Sequence, residues 1–338
     1  FDFTNSVPAT CFPTASGLAS SWNKELVKRV GEALATESQA NDVQILLGPG
    51  INMKRSPLGG RNFEYFSEDP VLSGKIAAAF INGVQSKGVG TSLKHFAANN
   101  QEFERMSNSS VVDERTLSEI YFPAFEIAVK EAQPWTVMCS YNKLNGVYAS
   151  ENEYLLTDVL KKKWGFQGFV VSDWGAVNDR PLGVAAGLNL EMPASGGFNN
   201  KKIVDAVKKG TLSESKLDEI VIETLAITLK AKDSHQQGIV VDKAKHHTLA
   251  REASGESIVL LKNSNSILPL KASAKKVAII GAFAKKPRYQ GAGSSQVKPT
   301  QVENALDELQ KLAKGTTFSY AEGYTSAGDT NATLLNEA

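Results

Sequence analysis

An aspartate followed directly by a tryptophan ends one of the most apolar runs in the sequence. The run Phe169–Ser172 is short, rich in valine and preceded by a glycine, which is typical of a buried parallel strand. Asp173 and Trp174 follow it, and the chemistry of α/β barrels lies at the carboxyl ends of strands. A carboxylate can attack or stabilise a sugar, and an indole ring stacks on the C–H face of a pyranose. The pair predicts a carbohydrate site, although Asp173 could instead cap a following helix.

A second polar cluster, Gly59–Pro70, is dense in charged and aromatic residues. The guanidinium of Arg61 offers a fork of donors that suits sugar hydroxyls or a carboxylate. The same arginine could simply pair with Glu64, Glu68 or Asp69. This segment alone leaves both interpretations open.

Lys94 and His95 lie near the end of another apolar run, Thr91–Phe96, and Arg105 lies in the polar loop after it. Adjacent residues of a strand point to opposite faces, but both side chains can reach a site where regular strand geometry stops. Arg105 could bind a ligand or be a surface charge. The sequence has neither HExxH nor Cys/His spacing, so a zinc site is not indicated.

The apolar run from Val137 onward also ends in polar residues, among them Tyr141. A tyrosine there can donate a hydrogen bond to a nearby carboxylate and so tune it. The alternative is an interior tyrosine whose hydroxyl is satisfied elsewhere.

Composition and motifs argue against several other classes. The 338 residues carry a net charge of +1, which gives no indication of a nucleic-acid partner. No apolar run approaches the roughly 18–20 residues of a membrane helix. The motifs GxGxxG, GxxxxGK[ST] and GxSxG are absent, which argues against nucleotide binding and a serine hydrolase. Cys11 and Cys139 are too few for a disulfide framework, and we interpret them as buried free thiols.

Strand and helix patterns alternate through the first two thirds of the chain, which predicts an α/β fold with a parallel sheet. The predicted strands are Val43–Leu47, Thr91–Phe96, Thr136–Tyr141, Phe169–Ser172 and Leu188–Met192. The predicted helices are Asn23–Asn41, Asp69–Lys87, Asp113–Ala132, Glu151–Trp164, Lys201–Lys209 and Ser213–Lys232. Because the polar residues follow strands, we predict a (β/α)8 TIM-like barrel. Five strands are fewer than eight, so we expect that part of the barrel is missing before Phe1.

We predict a barrel domain over 1–232, a linker over 233–255 and the first part of a C-terminal α/β sandwich domain over 256–338. The linker prediction rests on a polar stretch without apolar periodicity. A second α/β pattern follows it, and its βαβ unit is unfinished. We therefore expect that this second domain is also incomplete.

Taken in order, these segments resemble glycoside hydrolase family 3, and in particular its bacterial and clostridial retaining β-glucosidases. The stretches that carry the resemblance are Gly60–Pro70, Lys94-His95, Asn99–Arg105, Met138–Asn142, Ser172–Gly175, Leu260–Asn263 and Tyr289–Ser295. The resemblance implies that Asp173 is the nucleophile of a covalent glycosyl-enzyme. The residues that it implies bind hydroxyls of the non-reducing-end sugar are Arg61, Lys94, His95 and Arg105. It further implies that Met138 and Tyr141 line the pocket and that Trp174 stacks at its entrance.

The sequence departs from the family in two features. It has no Asp-Gly-Pro motif, and the family's acid/base Glu lies beyond the end of this chain, with Glu322 placed too early. We therefore expect a fragment of a three-domain enzyme, whose acid/base Glu comes from the remainder of the polypeptide or from a second chain. The loop after Lys94-His95 lacks the His-Asp pair of the β-N-acetylglucosaminidase branch.

The leading hypothesis is a retaining β-glucosidase that removes terminal non-reducing β-D-glucosyl units from β-glucosides or cello-oligosaccharides. A β-xylosidase, a mixed-specificity exo-glycosidase and a non-catalytic carbohydrate-binding protein stay open as alternatives. We expect no metal, no organic cofactor, no nucleic acid and no membrane partner. A cytoplasmic bacterial protein is expected, and the sequence leaves a homo-oligomer open.

Overall fold

The computed structural model describes residues 6–271 and 273–338. They divide into a larger unit, Phe12–Ser257, and a smaller unit that joins residues 6–11 to Ile258–Ala338. All of the predicted catalytic and binding residues lie in the larger unit.

The larger unit contains a four-stranded parallel sheet. In chain order the strands of this unit are β1 (Ile45–Leu46), β2 (Gly90–Phe96), β3 (Ser109–Ser110), β4 (Thr136–Cys139), β5 (Lys143–Leu144), β6 (Val147–Tyr148) and β7 (Phe169–Ser172). The order in the parallel sheet is β1-β2-β4-β7, whereas β3, β5 and β6 form a small separate sheet. The carboxyl ends of the four parallel strands therefore meet at one edge, where barrels place their active sites.

The predicted strand Leu188–Met192 is only partly correct. This segment continues the sheet beside β7 through the bridge between Val171 and Leu190, but it forms no regular strand. The reason is Arg180, a buried side chain that donates to the carbonyl oxygens of Leu188 at 3.0 Å and Asn189 at 2.7 Å. The Val170 N–H correspondingly bonds the Asn189 side chain at 2.9 Å and not a backbone carbonyl, which interrupts the ladder.

Helices cover the sheet on its outer side. They are α1 (Ala15–Ser20), α2 (Lys24–Gln39), α3 (Pro70–Gln85), α4 (Glu114–Thr116), α5 (Pro123–Ala132), α6 (Arg180–Ala186), α7 (Phe198–Lys208), α8 (Glu214–Ser234) and α9 (Lys243–Glu256). Two π-helical stretches, Leu117–Tyr121 and Tyr154–Lys163, lie within predicted helices. The first ends just before Pro123, which lacks the N–H that a continuous helix needs.

The apolar core lies between the sheet and this helical layer. Phe96 at the end of β2 is fully buried, and its ring centroid lies 5.0–6.0 Å from those of Phe122, Phe125 and Trp164. Packing of this kind fixes the end of β2, and with it the backbone that carries Lys94 and His95.

The predicted linker 233–255 is wrong in its local structure. Helix α9 fills most of it and packs on α1 and α2. Its contacts include polar pairs: Arg29 forms two hydrogen bonds of 2.7 Å with Glu252, and His246 Nδ1 lies 2.7 Å from Glu37 Oε1. The buried apolar residues of α9 are the small Ala250 and Ala253, a weak apolar signal that explains why the sequence pattern indicated a linker.

The smaller unit contains two parallel strands, β8 (Lys276–Ile280) and β9 (Thr317–Ala321), in full register. Helix α10 (Ala305–Leu312) lies between them in sequence, and α11 (Ala332–Glu337) follows. These elements agree with the predicted α/β pattern. Among the described residues of both units, no helix has the length and apolar character that crossing a bilayer requires.

Candidate active site

Asp173 lies directly after β7, at the edge where the parallel strands end. Its N–H donates to the carbonyl oxygen of Cys139 at 3.2 Å, which extends the pairing of β7 with β4 by one residue. Its carboxylate oxygen Oδ1 accepts the N–H of Trp174 at 2.8 Å. The next helix, α6, is capped by Asp179 and not by Asp173. The helix-cap alternative for Asp173 is therefore wrong.

The second carboxylate oxygen of Asp173 is buried. Asp173 is 7% exposed, and Oδ2 lies 3.5 Å from His95 Nε2 without a hydrogen-bond partner of ordinary geometry among the described residues. A buried carboxylate oxygen normally has such a partner, because leaving it without one costs free energy. The site therefore holds one carboxylate oxygen ready for a reaction or a ligand.

His95 is held from its backbone and from both ring nitrogens. Asn52 accepts the N–H of His95 and donates to its carbonyl oxygen, each at 2.8 Å. Nδ1 lies 3.2 Å from the Tyr65 hydroxyl, and Nε2 lies 2.9 Å from Arg61 Nη2. Burial, followed by the positive charges of Arg61, Lys94 and Arg105, lowers the pKa of His95 well below 6.5. The imidazole is therefore neutral at physiological pH.

Lys94 reaches the same site as its neighbour. Burial lowers the pKa of the Lys94 ammonium, and the negative charges of Glu64 and Asp173 act in the opposite direction. Both carboxylates are thus close enough to influence it. That Lys94 and His95, which are adjacent in β2, both bind a ligand stays a prediction.

Arg61 forms the predicted pair with Glu64 and also contacts His95, while its binding of a sugar stays a prediction. Its Nε forms an ion pair with Glu64, whereas its Nη2 bonds His95. The carboxylate of Asp69 instead caps α3 by accepting the N–H of Leu72. Because Glu64 uses one edge of the guanidinium, the arginine is held in place with its other donors on the side of His95.

Arg105, in the loop after β2, lies beside Tyr141, which follows β4 at the same edge of the sheet. The Cζ of Arg105 lies 4.6 Å from the Tyr141 ring centroid, and Nη1 bonds Glu102 at 2.7 Å. Burial first, and then the negative charge of Asp173, raise the pKa of Tyr141 to about 12. The phenol therefore keeps its proton and can donate it toward the Asp173 carboxylate.

Met138 and Trp174 form an apolar side of the site. Met138 is 2% exposed and belongs to a buried cluster with Phe169 and Val171, and Trp174 packs against this cluster. Part of the indole ring is exposed to solvent. An apolar surface beside a carboxylate suits the C–H face of a sugar ring.

Two residues that contact His95 were not singled out from the sequence: Asn52 and Tyr65. Asn52 is a buried polar residue between two apolar neighbours, and that signal could have found it. Tyr65 stands in the aromatic-rich segment after Arg61, but nothing in a single sequence pairs it with His95, 30 residues away.

The structure offers no second centre of comparable chemistry in its described parts. A groove of about 720 Å³ beside α8 contains none of the predicted site residues. Its charged groups pair with one another, Lys161 with Glu223 and Lys216 with Glu219, each at 2.7 Å. Within the described ranges, no group of three or more His, Cys, Asp or Glu could hold a metal ion.

Both units match domains of known protein families. Residues 4–226 match the glycosyl hydrolase family 3 N terminal domain, and residues 258–337 match the glycosyl hydrolase family 3 C-terminal domain. The chain is 59% identical to a thermostable beta-glucosidase B of Acetivibrio thermocellus, over the whole chain and 45% of that protein. It is 50% identical to an exo-alpha-(1->6)-L-arabinopyranosidase of Bifidobacterium breve, over 96% of the chain and 44% of that protein.

Solved structures give the same result. A GH3 beta-glucosidase of Bifidobacterium adolescentis superposes with a TM-score of 0.93 at 50% identity, over 98% of this chain and 49% of that one. Beta-glucosidase 3B of Thermotoga neapolitana, in complex with α-D-glucose, superposes with a TM-score of 0.88 at 42% identity, over 94% and 45%. The chain thus spans about half the length of the relatives it matches. Since both family domains match in order and cover nearly all of its residues, the chain belongs to glycosyl hydrolase family 3, whose N-terminal domain is a TIM-barrel-like α/β fold.

Proposed function

We propose that this protein is a β-glucosidase that removes terminal non-reducing β-D-glucosyl residues with retention of configuration. The observation that carries the proposal is the Asp173 carboxylate at the end of β7. Its Oδ2 is buried, lies 3.5 Å from a neutral His95 and has no close hydrogen-bond partner among the described residues. A retaining glycosidase needs such a carboxylate on one face of the sugar ring.

In the proposed mechanism Asp173 Oδ2 attacks the anomeric carbon while the leaving oxygen receives a proton from a carboxylic acid. A water molecule then gives its proton to the resulting carboxylate and displaces Asp173, which restores the starting state. The residues proposed to bind sugar hydroxyls are Arg61, Lys94, His95 and Arg105. Met138 and Tyr141 would line the pocket, and Trp174 would stack where the leaving group lies.

The acid/base carboxyl group is proposed to come from outside the described site. A retaining mechanism needs it about 5–5.5 Å from the nucleophile. Glu64 and Glu102 are engaged with Arg61 and Arg105. The remainder of the same polypeptide, or a second chain in a homo-oligomer, would supply a glutamate instead. The curated relatives, which are about twice as long as this chain, are compatible with the first source.

A pentopyranosidase activity is the second candidate. It is favoured by the 50% identity to exo-alpha-(1->6)-L-arabinopyranosidases of two Bifidobacterium species. Arabinopyranose and xylopyranose both lack the C6 hydroxymethyl group of glucose. Specificity would therefore depend on the contacts around C6.

Mechanism-based labelling tests the proposal. The complete gene product would be treated with a 2-deoxy-2-fluoro-β-glucosyl inactivator, and the labelled peptide would be mapped by mass spectrometry. We expect the label on Asp173 and its absence from Asp173→Ala. A label on another residue would overturn the assignment. No label, together with glucose binding, would favour the non-catalytic carbohydrate-binding alternative.

Aryl glycosides then distinguish the two activities. We expect kcat/KM to be highest for the β-D-glucoside, and the first-formed sugar to be the β anomer by proton NMR. A higher kcat/KM for the β-D-xyloside or α-L-arabinopyranoside would favour the pentopyranosidase. The predicted cytoplasmic location is tested separately, by fractionation of the source cells.

A further inference from the structure

The polar neighbours of the His95 ring determine where its proton lies. Nε2 is 2.9 Å from Arg61 Nη2, a nitrogen that can only donate, so Nε2 must be the acceptor in this hydrogen bond. Burial and the charges of Arg61, Lys94 and Arg105 keep the pKa of His95 well below 6.5, so the ring is neutral. A neutral imidazole carries one proton, which must then be on Nδ1.

The Tyr65 hydroxyl is in place to accept that proton. Its oxygen lies 3.2 Å from Nδ1, and the two rings meet edge to face with centroids 6.1 Å apart. Tyr65 is 3% exposed. It packs so closely on Gly50 that a Cβ there would lie 3.0 Å from two of its ring carbons. Because Asn52 also holds the His95 backbone, neither partner of this hydrogen bond has room to move away.

We propose that Tyr65 is a positioning residue that accepts the Nδ1–H of His95 and holds its imidazole in the Nδ1–H tautomer. Nε2 then remains an acceptor that orients Arg61. It also makes no donation to Asp173 Oδ2, which lies only 3.5 Å away.

The opposite tautomer, with the proton on Nε2, would disturb the contact with Arg61 and weaken the nucleophile. A proton on Nε2 would face the N–H of Arg61, and the two donors would repel each other. The same proton could be donated to Asp173 Oδ2, and a carboxylate oxygen that accepts such a bond is a weaker nucleophile. The effect on catalysis rests on the proposed function, whereas the tautomer itself does not.

The tautomer is measured by 15N NMR of the complete gene product labelled at histidine. The His95 signals are identified as those that disappear in His95→Gln. We expect an Nδ1 shift typical of a protonated nitrogen and an Nε2 shift typical of an unprotonated one, unchanged between pH 6 and 8. In Tyr65→Phe we expect a substantial Nε2–H population, because the acceptor for Nδ1–H is gone whereas Asp173 Oδ2, 3.5 Å from Nε2, can accept an Nε2–H in competition with the Arg61 hydrogen bond.

Glycosidase activity is measured in the same samples. We expect Tyr65→Phe to lower kcat/KM for an aryl β-glucoside about 10-fold and to slow labelling of Asp173 by the inactivator. The matched control is Tyr121→Phe, a half-buried tyrosine beside Arg55, which should change neither the tautomer nor the rates.

Two results would overturn the inference: an Nε2–H tautomer in the wild-type protein, or an unchanged tautomer in Tyr65→Phe. The wild-type measurement needs no variant, so poor folding of Tyr65→Phe would not prevent the test. If the protein has no glycosidase activity but the tautomer follows Tyr65 as described, the proposed function fails and the assignment of the proton stands.

Discussion

The hydroxyl of Tyr141 and the carboxylate of Asp173 influence each other at the edge of the sheet. Tyr141 lies shortly after β4 and Asp173 directly follows β7, so the pairing of these strands brings together two residues that are 32 positions apart. The charge of Asp173 contributes to the raised pKa of Tyr141, about 12 compared with an ordinary 10.0. The phenol therefore stays protonated and available as a donor across the range in which enzymes work.

Replacing Tyr141 with Phe removes this donor and keeps the ring. We expect kcat/KM for an aryl β-glucoside to fall about 10-fold. A hydrogen bond to a charged group contributes about 1.5–3 kcal/mol, and only the part that is gained in the transition state changes the rate. The alkaline limb of the pH profile should not move, because Tyr141 loses its proton only near pH 12.

Tyr141 also makes the stability of the folded protein depend on pH at alkaline values. A folded-state pKa above the unfolded value stabilises the protein fully below pH 10, and this contribution is lost as pH rises toward 12. Tyr141→Phe should therefore lose less stability than the wild type over that interval. A shift of the alkaline limb in Tyr141→Phe would contradict the assignment of a protonated phenol.

Helices α2 and α3 approach each other so closely that their contact depends on glycines. A Cβ on Gly83 would lie 2.2 Å from the carbonyl oxygen of Lys28, and one on Gly31 would lie 2.6 Å from that of Phe80. Both obstacles are backbone atoms, which cannot rotate away as a side chain can. The pair in turn supports β2, since α3 packs on that strand.

Gly83→Ala should therefore destabilise the larger unit by about 2–3 kcal/mol, at the upper end of the cost of overpacking. Differential scanning calorimetry of the complete gene product measures the change. The matched control is Gly255→Ala in α9, where a Cβ meets nothing within 4 Å. That variant should be neutral or up to about 1 kcal/mol more stable, since Ala is the better helix former. Equal losses in the two variants would show that the close approach is not the cause.

At the scale of the whole molecule, the larger unit holds the predicted nucleophile and all of the predicted sugar-binding residues, and the chain spans about half of its relatives. Sugar binding can therefore be tested apart from turnover. A ligand that binds the folded state alone adds RT ln(1 + [L]/Kd) to its stability, about 2.7 kcal/mol at 100 times Kd.

We expect D-glucose to raise the melting temperature by several degrees as its concentration rises well above Kd. The enantiomer L-glucose is the control for solvent effects, since it has the same functional groups in mirror-image positions. Arg61→Ala should abolish the difference between the two sugars. Equal shifts with both enantiomers in the wild-type protein would contradict a specific sugar site.

The sequence alone was sufficient for the elements that depend on local signals. The strand Phe169–Ser172 and the helix starts at Asp69 and Ser213 agree with the structure, because an apolar run, a proline at the first helical position and a capping side chain act within a few residues. The linker prediction failed for a related reason: α9 is stabilised by contacts with a helix more than 200 residues earlier in the chain, which no local pattern records.

The same division holds within the candidate site. Residue types and their positions after strands were enough to select Asp173, Lys94, His95 and Tyr141, since a parallel sheet places its strand ends together. Only the tertiary structure decided that Arg61 bonds both Glu64 and His95, and that Tyr65 and Asn52 hold the imidazole. Apart from the local pair of Arg61 with Glu64, these contacts join residues 30 or more positions apart in the chain at 2.8–3.2 Å, and tertiary packing sets such distances.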